Sequence, residues 1–238
     1  MQDFTTPNPS QGSSQSLALT SEAVFFQKVY MWMCGGLALT ALVGYWLARS
    51  ETWASYLSGG GWAWLLPIVI QVGLVLAINY LSNKVTATVI KGLFLLYATS
   101  VGMTVSIVLM VYPMDIVFKA FLSAAAVYGA MATYGLVTKR SLEAWGGFLF
   151  MGLVGTIIAI VINMILRSPM MDFIISCVTV IVFAGLTAYD HQKLRVIHAN
   201  GFSSEDYEGK IIIHGALELY LDFINLFLAL VRILGNRD

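Results

Sequence analysis

Long apolar runs separated by short polar breaks dominate the chain. Seven stretches have the roughly 20 mostly apolar residues that a bilayer-crossing helix needs: 29–48, 62–82, 92–112, 116–137, 147–166, 173–190 and 211–234. Turn residues or charges occupy the breaks between them, and only the last break, 191–210, is long. The runs are too long, and alternate too little, to be strands of a closed barrel. The pattern predicts an all-α polytopic membrane protein. Residues 1–24 are rich in Ser, Gln and Thr and carry no Lys or Arg, the first basic residue being Lys28. They read as a disordered cytoplasmic tail rather than a secretory signal, and 25–238 as a single membrane domain.

Composition agrees with the pattern. The chain is 58% hydrophobic and 11% charged, with a mean hydropathy of +0.80. A soluble domain carries about 25% charged residues, so the main solvent of this chain is the lipid bilayer. Zero net charge gives no argument for nucleic acid as a partner. Basic residues favour one side of the bundle. Lys28, Lys84, Lys91, Lys139, Arg140, Lys193, Arg195 and Lys210 fall in the tail and even-numbered breaks, against Arg49, Lys119, Arg167, Arg232 and Arg237 on the other side. By the positive-inside rule the N-terminus is cytoplasmic. Cys34 and Cys177 lie inside apolar runs and read as packing residues. His191, His198 and His214 show no metal-ligand spacing with them.

The candidate chemistry lies in the last two runs. Asp190 ends one and Asp222 lies inside the other. A carboxylate at bilayer depth costs about 3 kcal/mol on insertion scales and about ten or more on others, so such residues mark functional paths. With His214 set at zero on a helix, Glu218, Asp222, Asn225 and Arg232 all fall within an arc of roughly 80°. Ser176, Thr179, Thr187 and Asp190 share a similar arc on the preceding helix. Each helix thus has one polar stripe, which in lipid must turn toward protein or water. Asp222 is flanked by Tyr220, Leu221, Phe223 and Ile224 and is hard to place in water. Asp190 has a second reading, as a solvated helix end paired with Lys193. If the two aspartates meet in a dry site they cannot both ionise cheaply, so one proton is shared. That proton would tie the two helices together. Without it the carboxylates would repel or admit a hard cation such as Ca2+.

The same residues carry a family likeness. Gly185-Leu-Thr-Ala-Tyr-Asp-His-Gln-Lys-Leu194, the run Gly215–Asn236 with Leu219-Tyr-Leu-Asp-Phe-Ile-Asn225 at its centre, and Tyr128-Gly-Ala-Met-Ala-Thr-Tyr-Gly-Leu-Val-Thr-Lys-Arg140 resemble signatures of the Bax inhibitor-1 family. The likeness covers nearly the whole chain after residue 20 and is nearest to bacterial inner-membrane members. It implies seven helices with the last surrounded by the other six. It also implies a pH-sensitive calcium leak with Asp190 and Asp222 as the proton sensor, ion path and transient Ca2+ contact. Bacterial relatives that modulate a membrane-bound AAA protease supply an alternative, an interaction protein without transport. The chain departs from the family pattern at Gln71, which stands where some members carry an acid, at His191, and at the additional carboxylate Glu218.

An enzyme is a third class of function. Tyr189-Asp190 mimics half the signature of intramembrane aspartyl proteases, but Asp222 follows Leu219-Tyr220-Leu221 and not the Gly-x-Gly that their second half requires. The reading is therefore not an enzyme, with no resident cofactor and with Ca2+ and H+ as the ions handled.

Overall fold

A computed structural model describes residues 9–59, 65–82 and 84–236. Among these the chain is entirely helical: α1 Pro9–Ala48, α2 Glu51–Ser58, α3 Leu65–Leu81, α4 Ala87–Val111, α5 Met114–Val137, α6 Glu143–Leu166, α7 Pro169–Ala199 and α8 Glu205–Gly235. Five helices are long and apolar enough to cross a membrane: α1 from Thr20, α4, α5, α6 and α7. Helix α3 has 17 residues, and the first three positions of the run read as 62–82 lie outside the described residues. So do Arg237 and the first eight residues of the segment read as a tail. Helix α1 begins at Pro9, inside that segment.

The sequence breaks hold more helix than hydropathy suggests. The break at 49–61 contains α2, capped by Ser50 and held to α4 by Trp53 Nε1 donating to Ser106 Oγ at 2.8 Å. The long break at 191–210 shrinks to five residues, because α7 continues to Ala199 and α8 begins at Glu205. Asp190 is therefore not at a helix end. The nine residues that follow it remain helical and form a polar extension of α7.

Burial sorts the helices into inner and outer. Helix α8 has fourteen buried residues and packs against α1, α4, α5 and α7. Helix α6 buries only Leu149 and Thr156. It leans on α7 and exposes Phe148, Phe150, Met151, Ile157, Ile158 and Ile165. Apolar exposure on this scale suits lipid and not water. Small residues permit the close contacts inside. A Cβ added at Gly135 of α5 would collide with the Ala188 backbone carbonyl of α7, so only glycine lets these two helices meet at that level.

The polar end of the bundle is clasped by charge. Arg195 of α7 pairs with Glu22 of α1 at 3.2 Å, and Lys28 of α1 with Glu208 of α8 at 2.8 Å. At the start of α8, Asp206 accepts the Ala87 N–H at 2.9 Å, capping α4 from another helix. That N–H and the Lys210 ammonium hold the Asp206 carboxyl below the usual carboxylate range. The stabilisation from this cap is complete above the unfolded carboxylate value of about 4 and is lost as pH falls through the lower folded value. Asp206→Ala is accordingly expected to lower the melting temperature at neutral pH, with the difference from wild type vanishing in strong acid. Melting curves in detergent across pH measure this directly.

Candidate carboxylate site

Helices α7 and α8 lie side by side in opposite directions, so residues rising along one meet residues falling along the other. At one level the Asp190 and Asp222 carboxyl groups face each other, close enough for each to feel the other's charge. One turn nearer the α7–α8 connector, Lys193 Nζ and Glu218 Oε1 form an ion pair at 2.6 Å. The site is thus a two-rung ladder, dicarboxyl above and ion pair below. Spacing explains it: Lys193 is three residues after Asp190, and Glu218 is four before Asp222, so each pair shares a helix face. Lys193 is the cation of the site. It takes Glu218 as its partner and not Asp190, the partner that the solvated-end reading required.

Both aspartates are removed from bulk solvent, with Asp190 8% and Asp222 3% exposed. The Thr187 hydroxyl beside them donates to the Phe183 carbonyl of its own helix at 2.7 Å. Among the described residues Asp222 Oδ2 has no hydrogen-bond partner, nor does the buried Ser176 Oγ farther along the α7 stripe. A buried carboxylate oxygen without a donor is costly when charged. A proton shared with Asp190 or a cation in passage would relieve that cost. No group of three His, Cys, Asp or Glu able to hold a metal occurs among the described residues.

The other stripe residues divide between regions. His214 Nε2 contacts Ser82 Oγ at 2.7 Å, beyond the α3 end, and is not drawn to the aspartates by a bond. Asn225 donates to the Leu221 carbonyl of its own helix. Asn225 and Arg232 line a cavity of about 470 Å3 between α3 and α6, with Gln71, Tyr97, Thr156 and Thr179 as its other polar groups. Gln71 is held there by α4, donating to the Ser100 carbonyl at 3.0 Å and Thr104 Oγ1 at 2.7 Å. Helix α8 is consequently buried on all sides but one. His214, Glu218, Leu221, Asn225, Leu228 and Arg232 are all partly accessible and follow the helical repeat, forming an open seam along the helix. Asp222 sits buried beside that seam, midway.

Two aromatic partners escape a reading by polar periodicity. His191, fully buried, contacts the Thr187 carbonyl through Nδ1 at 2.6 Å and the Tyr30 hydroxyl of α1 through Nε2 at 3.0 Å. Tyr128 of α5 packs edge-on against both His191 and Phe223, with ring centroids 5.6 and 5.7 Å away. These contacts fix α7 against α1 and α5 beside the aspartates. Aromatic residues at helical spacing look like core in the sequence; His191 stands out there only as a departure from the family pattern, and Tyr128 not at all.

The Lys193–Glu218 rung can be tested by itself. Each side chain is about a third exposed, so coupling on the order of 1 kcal/mol is expected. Lys193→Gln and Glu218→Gln should each lower the melting temperature near neutral pH. The double variant should lose less than the two losses added together.

Fold and site together define a polytopic helical membrane protein with a dicarboxyl pair in its interior. The chain belongs to the Bax inhibitor-1 family, since the family model described as "Inhibitor of apoptosis-promoting Bax1" matches residues 22–238. It is 40% identical over 215 residues to the inner membrane protein YbhL of Escherichia coli strain K12, a match covering 90% of this chain and 92% of YbhL. A protein of Deinococcus radiodurans is 37% identical over 233 residues, covering 95% of this chain and 99% of that one. A protein of Borreliella burgdorferi is 36% identical over 213 residues, covering 90% and 92%.

Proposed function

We propose that the protein is a pH-sensitive calcium leak of the bacterial inner membrane, with the Asp190–Asp222 pair as its latch. In this reading the chain crosses the membrane seven times. Helices α3 and α8 join the five long apolar helices as spans, α8 is surrounded by the others, and the N-terminus is cytoplasmic. The observation that carries the proposal is the meeting of two buried carboxyl groups beside the one accessible face of α8. A proton between them makes a hydrogen bond that ties α7 to α8 and keeps the seam shut at its midpoint. Loss of the proton leaves like charges in a dry site, which separate or recruit a hard cation. The path then runs from the Lys193–Glu218 rung past Asp222 into the cavity lined by Gln71, Asn225 and Arg232. The aspartates serve passage and not catalysis.

Reconstitution in liposomes holding a Ca2+ indicator tests this reading. Protein-dependent Ca2+ entry that rises as the pH is raised supports it. Entry that is absent, or the same at every pH, contradicts it.

A further inference from the structure

A second groove lies on the side of α7 away from the carboxylate ladder, between α5 and α6. It measures about 590 Å3. Ala184 and Gly185 of α7 lie at its base, Ile181 of α7 at its outer rim, Trp145 and Phe148 of α6 line one wall, and Arg140 is also on its lining. Trp145, Phe148 and Ile181 are each more than half exposed, so the trough opens sideways on the lipid-facing surface. Its walls are apolar and its end is cationic.

The cationic end is held in place. Gln192 of α7 accepts the Leu142 N–H at 2.7 Å and donates to the Arg140 carbonyl at 2.9 Å. This pins the α5–α6 connector across α7 and sets Arg140 over the mouth. Arg140 is exposed and takes part in none of the ion pairs among the described residues. Glu22, the acid at this end of α7, is engaged by Arg195. Lys139 adds a second positive charge beside Arg140, against the single acid Glu143 at the start of α6.

An apolar trough ending in a guanidinium that has no ion pair among the described residues, with Trp145 also on its lining, matches an amphipathic anion. A guanidinium engages a phosphodiester through two parallel hydrogen bonds. Aromatic residues favour headgroup depth, and basic residues there attract anionic lipids. We propose that this groove holds one anionic phospholipid, with its phosphate on Arg140 and an acyl chain along Trp145, Phe148 and Ile181. The proposal does not depend on ion passage.

Native mass spectrometry of the full chain, released from detergent after incubation with phosphatidylglycerol or phosphatidylcholine, reads occupancy directly. One phosphatidylglycerol should be retained about tenfold over phosphatidylcholine. Arg140→Gln should remove that preference. Ile181→Trp, which fills the trough without touching the charge, should reduce retention of both lipids, and Ile165→Trp on the exposed face of α6 should change neither. Equal retention of the two lipids by the wild type would overturn the proposal. So would a preference that survives in Arg140→Gln, or displacement of the lipid by inorganic phosphate alone.

Discussion

Asp222→Asn is expected to give a protein that folds and enters liposomes but passes Ca2+ slowly and equally at every pH. The amide is neutral and still donates a hydrogen bond to Asp190, so it mimics the proton-bearing pair permanently. Size and shape barely change, which separates loss of the charge from loss of packing. In the wild type, flux governed by one shared proton can rise by at most about tenfold per pH unit. The variant should lose that rise entirely. Asp190→Asn should behave alike, because the proton belongs to the pair and to neither residue alone. A wild-type pH profile in either variant would remove the aspartates from the gating step.

Gly135→Leu is expected to cause the largest loss of stability from a single change in the apolar interior. Even a Cβ at this position meets the Ala188 backbone carbonyl, and backbone cannot rotate away as a side chain tip can. Overpacking by one or two methylenes typically costs about 1–3 kcal/mol, and the leucine adds four carbon atoms where one already collides. Forcing α5 from α7 two residues from Asp190 should also disturb the His191 and Tyr128 contacts. Gly129→Ala, on the same helix with open space around it, should be neutral or gain up to about 1 kcal/mol in helix propensity. Melting temperatures in detergent compare the two. A Gly135→Leu variant as stable as Gly129→Ala would contradict the close approach of α5 and α7.

Much of the site was legible because lipid makes polar residues conspicuous. Two carboxylates in apolar runs stood out, and the 100° repeat placed each on a stripe that had to face inward. That constraint turns both stripes inward but leaves open whether Asp190 and Asp222 meet. The end of α7 was not legible, because His191–Ala199 is polar and a hydropathy scan stops where the charges begin. The backbone nevertheless continues, since the extension has its own partners in Glu22, Tyr30 and Glu218. Lys193 was equally compatible with Asp190 and Glu218 from spacing alone. Which it chooses depends on how far α8 slides along α7, and a sequence repeat does not fix that register. His214 shares the stripe of Asp222 but lies two turns away, far enough to reach Ser82. The sequence has seven apolar runs, whereas five helices meet the length and hydropathy of a span among the described residues. The difference lies in α3, whose described part starts at Leu65, and in α8, whose stripe dilutes its apolar character.

The most direct test of the latch is the separation of the Asp190 and Asp222 carboxyl groups in structures of the membrane-embedded protein determined at acid and at alkaline pH. The account predicts contact in acid and parting in alkali, with the α8 seam continuous past Asp222 only in the second. The same carboxyl separation at both pH values would contradict it.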